Sequence, residues 1–421
     1  MSGPVANNIF RSSGVIAAAA GGLSWQPVVT ASTLTASAGN GYWINTTSNT
    51  CTITLPSAAT AGDQIIFADY ARTWGTNKII IDSNGLNYQG DPDTFTLEYD
   101  TSGQTVSIVY SGATVGWIPE DDDTVADVPV PPVTQKAIFA YGDGGGLVNM
   151  SNLVNSSGVV GADVTGVGTS RSGLAAASYG FDKAIFAYGY TGSTTNIKNL
   201  VNNSGVVAAD ATGVGTARWL LAAAGYGSSG QAIFGFGLPS GVTAITNLVN
   251  NSGVVASDTA GVGTARRSLA ACGFGTDKAI FGFGNAASVG NLANLVSNVG
   301  VVATDSTGVG TARNSLAAAG YGGDKGIFAY GYNGSADVRI SNLVSNTGVV
   351  QSDVSGVGST RNTPSAASYG GDKAIFAYGV SGGSDTAISN LVNNVGVVTA
   401  DVSGVGTARE GTAGAGYSNS A

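Results

Sequence analysis

Six arginines recur at a regular spacing, and each of them follows an aspartate by eight residues. The pairs are Asp163 and Arg171, Asp210 and Arg218, Asp258 and Arg266, Asp305 and Arg313, Asp353 and Arg361, and Asp401 and Arg409. A planar guanidinium donates several hydrogen bonds at once, which suits carboxylates and loop carbonyls. We therefore predict one structural arginine–aspartate pair per repeat, tying an outer strand to the loop that enters the next repeat. The alternative is a ring of cations around a channel that binds an anion.

Residues for acid–base catalysis are scarce, because the chain has no histidine and three glutamates, Glu98, Glu120 and Glu410. Without histidine a Ser-His-Asp site cannot form. The recurring GVGTAR lacks the lysine of a phosphate-binding loop. A glycosidase needs a pair of carboxylates, but most aspartates of the repeats recur in every copy, which a single active site would not require. We expect no enzyme activity and no cofactor.

No metal site is expected either. Cys51 and Cys272 fall in different predicted domains, so no disulfide and no metal-binding spacing is indicated, and both are expected to be small buried residues. The four consecutive acids at 120–123 lack the alternating ligands and the glycine of a calcium loop.

The arginines belong to a unit of 47 or 48 residues that runs six times to the C-terminus. Its opening motif, KAIFAYG in the first copy, begins at Lys136, Lys183, Gln231, Lys278, Lys325 and Lys373. Each copy continues through NLV-x-N-x-G-VV, an Asp, GVG-T-x-R and an Ala-rich run, with small variations. A period of this length is typical of an array or a β-propeller.

The repeat pattern predicts four short strands per unit and leaves no room for a helix. In one copy they are LAAAGYG (316–322), KGIFAYG (325–331), ISNLVSN (340–346) and VVQSD (349–353), with a tight turn at Asn346-Thr347-Gly348. Alternation should place Phe328 and Tyr330 on one face. Such a sheet cannot bury its aromatic face alone, so we predict that six of them stack into a closed six-bladed propeller over 136–421.

The two ends of the array predict how the ring closes. The first copy lacks the Ala-rich first strand, and the last copy is followed by TAGAGYSNSA (412–421), which has the pattern of that strand. We therefore predict that the C-terminal strand completes the first blade.

The N-terminal third has a different organisation. Residues 1–30 are rich in Gly, Ala and Ser and predict an extended arm, either a flexible tail or a docking strand. Residues 31–119 show seven or eight alternating segments, which indicate a β-sandwich or barrel. Residues 120–135 are acidic and then Pro-rich, as in a semi-rigid linker. The net charge of −9 argues against a nucleic-acid partner, and no apolar run is long enough for membrane insertion.

The sequence RNSLAAAGYG (313–322), with the Asp-Lys turn and I-F-x-Y-G strand that follow, resembles a kelch-type blade. In place of the Gly-Gly doublet of kelch repeats this sequence has Tyr-Gly or Phe-Gly followed by a variable residue, and no tryptophan recurs in the fourth strand. The resemblance implies propeller geometry and does not imply a cytoplasmic kelch adaptor.

A second resemblance is to virion proteins of tailed bacteriophages, especially marine ones, and it extends over the repeats. In the N-terminal domain it is carried by TITLPSAATAGDQIIFADYARTWGTNKIIIDSNG (52–85) and VSIVYSGATVGWIP (106–119). It implies a structural protein on the virion surface, whose arm and N-terminal domain bind other virion proteins. Phage fibres are commonly trimers, but no heptad run indicates a homotrimer here.

The loops between the second and third strands differ in every copy, whereas GVGTAR hardly varies. Variable loops on a repeated scaffold are typical of binding surfaces. Aromatic and amide side chains suit sugar rings, so the candidate ligand-binding residues are Tyr190, Tyr332, Asn333, Asp337 and Arg339. The alternative is tolerated variation in loops without a function.

These observations leave three functions open. The first is a tail fibre or tail appendage that displays the propeller for contact with a host glycan or receptor. The second is a capsid decoration or head-fibre protein, and the third is a secreted carbohydrate-binding or adhesive protein of a cell.

Overall fold

The computed structural model describes residues 23–93, 97–120 and 134–421. Within these ranges the chain forms strands and turns and no helix, so the all-β prediction is confirmed. Contacts divide the chain into two units, Met1–Val130 and Pro131–Ala421. Most of the predicted arm, at 1–22, and most of the predicted linker, at 121–133, lie outside the described residues.

The first unit contains nine described strands. They are β1 (Ser24–Trp25), β2 (Thr33–Thr35), β3 (Asn40–Ile44), β4 (Cys51–Thr54), β5 (Gln64–Asp69), β6 (Ile79–Asp82), β7 (Leu97–Tyr99), β8 (Thr105–Tyr110) and β9 (Trp117–Pro119). Strand β1 lies within the stretch predicted to be an arm, and it pairs in parallel with β3. Its Trp25 stacks on Trp43 with ring centroids 4.1 Å apart, so the ordered unit begins before residue 31.

Two sheets enclose the core of the first unit. Their strand orders are β1-β3-β5-β8-β9 and β2-β4-β6-β7. Consecutive strands up to β6 alternate between the sheets, so each sheet grows by parallel pairing. Ile53, Phe67, Trp74 and Trp117 are fully buried between them. Burial of these large side chains supplies the driving force for this unit.

The second unit contains twenty described strands. They are β10 (Lys136–Asp143), β11 (Leu147–Val154), β12 (Ala175–Tyr179), β13 (Lys183–Tyr190), β14 (Thr194–Val201), β15 (Ala222–Tyr226), β16 (Gln231–Gly235), β17 (Thr246–Val249), β18 (Ala270–Phe274), β19 (Lys278–Asn285), β20 (Val289–Val296), β21 (Ala317–Tyr321), β22 (Lys325–Ala329), β23 (Ser341–Val344), β24 (Ser365–Tyr369), β25 (Lys373–Ala377), β26 (Val380–Ser381), β27 (Ser384–Asp385), β28 (Ser389–Val392) and β29 (Ala413–Tyr417).

These strands form six three-stranded sheets, which we number by repeat, and a small hairpin of β26 and β27. Sheet 1 is β29-β10-β11, sheet 2 is β12-β13-β14, sheet 3 is β15-β16-β17, sheet 4 is β18-β19-β20, sheet 5 is β21-β22-β23 and sheet 6 is β24-β25-β28. Strand β29 runs antiparallel to β10, from Lys136 opposite Tyr417 to Ala140 opposite Ala413. The C-terminal strand therefore completes the sheet of the first repeat, as the ends of the array predict.

The predicted fourth strand is not a strand of the sheet. It touches the third strand at isolated bridges, such as Val344 with Val350 and Ser341 with Val354. Between those bridges the side chain of Asn342 donates to the backbone carbonyl of Gln351 at 3.0 Å. A side chain takes the place of a backbone donor there, so the ladder is interrupted.

The aromatic residues of the second strand do not share a face, contrary to the prediction. Phe328 packs edge-on against Phe283 of sheet 4, and Tyr330 packs against Phe376 of sheet 6. Tyr330 has a φ of +66°, which reverses the alternation within two residues. A non-glycine residue costs about 1–2 kcal/mol in this conformation, and its ring contacts offset that cost.

The six sheets contact one another in a cycle. The Ala-rich strands touch in the order β12, β15, β18, β21, β24, β29 and back to β12. Six edge-to-face aromatic pairs follow the same order: Tyr141–Phe186, Tyr188–Phe234, Phe236–Phe281, Phe283–Phe328, Tyr330–Phe376 and Tyr378–Phe139. The aromatic surface of every sheet is therefore buried by a neighbour.

Candidate functional site

Each recurring arginine lies at the junction of two sheets. Arg171 is fully buried and donates from Nε to the carbonyl of Tyr188 at 3.0 Å and from Nη1 to that of Thr169 at 3.2 Å. Its Nη2 donates to Oδ1 of Asn199 at 2.7 Å. The guanidinium carbon lies 4.0 Å from the ring centroid of Tyr141 on the preceding sheet. The arginine thus joins sheets 1 and 2.

The asparagine that accepts from the arginine also donates a hydrogen bond to an aspartate. Asn199 Nδ2 donates to the carbonyl of Ala208 and to Oδ1 of Asp210, both at 2.9 Å. Asp210 also accepts the backbone N–H of Thr169 at 2.9 Å and its hydroxyl at 2.6 Å. The carboxylate therefore closes the loop that precedes Arg171, although it belongs to the next repeat.

This geometry corrects the predicted pairing. The aspartate beside each arginine comes from the following repeat and is not the one eight residues before it. The observed neighbours are Arg171 and Asp210, Arg218 and Asp258, Arg266 and Asp305, Arg313 and Asp353, Arg361 and Asp401, and Arg409 and Asp163. Only Arg266 and Arg409 come within 4 Å of the carboxylate among the described residues, at 3.9 and 3.7 Å. In every junction the asparagine is the direct partner.

The sequence patterns considered above did not indicate a role for this asparagine. It is Asn152, Asn199, Asn247, Asn294, Asn342 and Asn390, and each side chain is fully buried. A signal was present, because an amide that precedes Leu-Val in the third strand of all six copies requires hydrogen-bond partners if it is buried.

Burial sets the ionisation of these groups. Loss of solvent lowers the pKa of Arg313 to about 10, and Asp353 opposes that shift. Partial burial raises the pKa of Asp353, but hydrogen bonds from Thr311 and Asn342 outweigh it, so the pKa lies below its ordinary 3.8. The arginines are 0–2% exposed and their donors serve internal acceptors, which suits a structural role and leaves little access for an external anion.

One junction departs from the pattern. Arg361 keeps its bond from Nη2 to Asn390 at 2.6 Å, but its Nε has no hydrogen-bond partner within the described residues. The hydroxyl of Tyr330, whose ring lies beneath this guanidinium, is buried without a partner as well. An unsatisfied buried polar group costs about 1–3 kcal/mol, so the junction of sheets 5 and 6 is the least satisfied of the six.

The variable loops lie at one end of the strands, beside the segments that join the sheets. Tyr332 is 37% exposed and its backbone pairs with Asn314. Asn333 Oδ1 accepts the backbone N–H groups of Ser335 and Ala336, each at 2.9 Å. The Asn333 side chain therefore shapes its own loop.

Asp337 and Arg339 also make contacts within the protein. Asp337 accepts a 2.8 Å bond from Asn362 Nδ2, and Arg339 Nη1 donates to the carbonyl of Gly358 at 3.1 Å. In three other repeats an asparagine makes the equivalent bond: Asn149 to Gly168, Asn196 to Gly215 and Asn291 to Gly310. These contacts favour loop support over ligand contact for Arg339.

The structure does not bring all five candidate residues together. Tyr190 belongs to sheet 2, whereas the other four belong to the loop of sheet 5. Two sheets separate them in either direction around the cycle. Tyr190 is instead beside Trp219, with ring centroids 5.1 Å apart.

Trp219 identifies a second set of variable positions, each directly after a recurring arginine. They are Ser172, Trp219, Arg267, Asn314, Asn362 and Glu410. Each one bridges to the first residue of a variable loop: Tyr190, Leu238, Asn285, Tyr332, Val380 and Asp143, respectively. Twelve variable positions therefore lie in six backbone-fixed pairs at the loop end of the sheets. The sequence signal was variation beside an otherwise constant motif.

A cavity of ≈ 220 Å³ lies at the opposite end of the strands. Sheets 2 to 6 contribute to its lining together with Thr134, and the residues of the sheets include Ser178, Gly225, Gly273, Gly320 and Ser368. Thr134 and Gln135 enter the unit at this end, where their carbonyls accept the N–H groups of Gly371 and Gly370.

Other reactive groups are few in the described part of the chain. Cys51 and Cys272 are free and buried, and burial raises their thiol pKa values to about 11 and about 12. Among residues 23–93, 97–120 and 134–421, no three His, Cys, Asp or Glu side chains are grouped as a metal site would need. No helix in the same ranges has the length and apolarity to span a bilayer.

No protein-family model matches this sequence, and no curated protein sequence matches it either.

Proposed function

We propose that the second unit is a six-bladed, kelch-like β-propeller and that the first unit is a β-sandwich-like anchor. The cyclic order of sheet contacts supports the propeller, together with the pairing of β29 with β10. Backbone bonds support it as well, because Gly142, Gly189, Gly237, Gly284, Gly331 and Gly379 each donate to the carbonyl of the arginine at the next junction.

The protein is then a non-enzymatic structural protein of a tailed-phage particle, a tail fibre or appendage that contacts the host surface. One observation carries this proposal. The buried junction residues are nearly identical in all six repeats, whereas the combination of the two paired residues at the loop end differs in every repeat. A constant frame with a variable end is what a displayed recognition surface requires.

The path of the chain through the second unit supports the display of its variable end. Thr134 and Gln135 join the propeller beside the turns between first and second strands. Strand 2 of each sheet runs from those turns to the variable loops. Within the second unit, the variable end therefore lies opposite the point where the chain enters.

Binding to host cells tests this function. A loop-exchanged protein would carry LPSGVTAI, the loop of sheet 3, in place of the loops at 143–150, 190–197, 285–292, 332–339 and 380–387. All six loops have eight residues, so the length of every repeat is kept. We expect the full-length wild type to bind cells of the host and the exchanged protein to lose at least about tenfold in affinity.

A matched control exchanges turns at the cavity end, where no contact is proposed. Loss of binding in the control alone, or equal binding by all three proteins, would refute host contact through the variable end. The number of copies per particle separates the tail from the capsid, since appendages occur in few copies and decoration proteins in tens to hundreds.

A further inference from the structure

The aromatic pair Tyr190 and Trp219 stands out at the variable end. Both rings are half-buried, and they meet at 5.1 Å with an angle of 35° between their planes. Trp219 is the only tryptophan of the second unit. Its equivalents in the other repeats are serine, arginine, asparagine and glutamate, so the fold of the repeat does not require an indole at this position.

The indole is held in place by its neighbours. Gly173 lies beneath it, and a Cβ on Gly173 would be 3.0 Å from Cε3 of Trp219. Leu220 donates its backbone N–H to the carbonyl of Gly173 at 2.8 Å, and Trp219 itself pairs with Leu238. The backbone that carries Trp219 is thus fixed on both sides, which makes a rigid, partly exposed apolar platform.

Charges of opposite sign flank this platform. Arg267 lies one junction further along the cycle, next to Leu220 through the bond from Ser268 N–H to the Leu220 carbonyl. On the other side, Gly173 donates to Gly411, the residue after Glu410, and Glu410 pairs with Asp143. The residues of the two pairs at the platform, Ser172 with Tyr190 and Trp219 with Leu238, carry no charge, so the platform itself favours an uncharged polyol.

We infer that Tyr190 and Trp219 form a subsite for an uncharged pyranose residue of a surface glycan. The C–H face of the sugar stacks on the indole and phenol rings, and the hydroxyl of Ser172, beside Tyr190, is available to the sugar hydroxyls. This inference rests on the proposed host contact and names its ligand class. It also replaces the loop of sheet 5 with the junction of sheets 2 and 3 as the centre of recognition.

An array of neutral, cationic and anionic oligosaccharides tests the subsite with the full-length protein. Trp219→Asn is the informative variant, because Asn314 and Asn362 occupy the equivalent position and the fold accepts them. The matched control is Tyr332→Leu, which removes an exposed tyrosine at the equivalent of Tyr190, where sheet 3 carries Leu238.

We expect wild type and Tyr332→Leu to bind the same neutral glycans, and Trp219→Asn and Tyr190→Leu to lose at least about tenfold in affinity. Equal binding by Trp219→Asn, or preference for anionic glycans, would overturn the subsite. A wild-type protein that binds host cells but no oligosaccharide would refute the subsite and leave host contact standing. Failure to bind cells as well would refute both.

Discussion

Arg409 and Asn152 are 257 residues apart in the chain, and Nη2 of the arginine donates to Oδ1 of the asparagine at 2.6 Å. The same arginine donates from Nε to the carbonyl of Tyr141 at 2.9 Å. Its guanidinium lies over the ring of Tyr378 in sheet 6. This junction of the last repeat with the first has the same arginine contacts as four of the five junctions between consecutive repeats, so the cycle has no specialised seam.

Removal of residues 413–421 tests the contribution of the C-terminal strand. The deletion takes away β29, the strand that pairs with β10 and covers Ile138 and Phe139 of sheet 1. Loss of these backbone bonds and apolar contacts should lower the melting temperature by more than about 10 °C. The control removes only 419–421, which are exposed and outside the strand, and should melt as wild type does. Equal melting of the two deletions would contradict the role of β29.

Arg313→Lys tests whether the buried arginines support the fold. A lysine cannot supply the three directed bonds to Thr311, Tyr330 and Asn342, and it leaves acceptors unsatisfied in the interior. We expect a loss of about 2–3 kcal/mol in the free energy of unfolding, measured by denaturant titration. The exposed Arg339→Lys should change it by less than about 1 kcal/mol. An Arg313→Lys protein as stable as wild type would remove support for a structural role.

Two tyrosine-to-phenylalanine variants should have opposite outcomes. Tyr188 Oη donates to the Val214 carbonyl at 3.0 Å, so Tyr188→Phe should lose about 1 kcal/mol. Tyr330 Oη is buried without a partner in the described residues, so Tyr330→Phe should be neutral or stabilising. Phe236 and Phe283 occupy equivalent positions, so both variants fit the frame. A comparable loss in both variants by denaturant titration would show that Tyr330 is satisfied.

Acid should destabilise the sheet junctions. Six aspartates at these junctions have pKa values below 3.8, because hydrogen bonds to the carboxylates outweigh their partial burial. A lowered folded-state pKa adds stability above the unfolded value, and that stability is lost as the pH falls below 3.8 through the folded values. The melting temperature should therefore drop below pH 3.8. The drop should be smaller for Asp305→Asn, whose amide does not titrate, and an unchanged drop would count against this explanation.

The sequence predicted the repeat, three of the four strands proposed for each unit and the closing strand, because each depends on local patterns that six copies repeat. It did not predict which neighbour each aspartate serves, since a spacing of eight residues gives no direction across a junction. The positive φ of Tyr330 could not be predicted from the sequence either. An aromatic residue disfavours that conformation, and only its contacts with Phe376 make it favourable.

The N-terminal unit shows a similar limit. Alternating segments predicted strands and a shared core, and Ile53 and Phe67 are buried as alternation requires. Parallel and antiparallel strands alternate with the same period of two, so the parallel pairing of β3 with β5 was not visible. At the variable end, Trp219 lies outside the variable loops and directly follows a constant motif. Variation among the loops therefore did not indicate it.

An experimental density map of the full-length protein tests the central claim most directly. The account predicts six three-stranded sheets around one axis, with Ala413–Tyr417 hydrogen-bonded to Lys136–Ala140 and Arg409 in contact with Asn152. An open stack of sheets, or a C-terminal strand lying apart from β10, would contradict the closed ring and the recognition surface built on it.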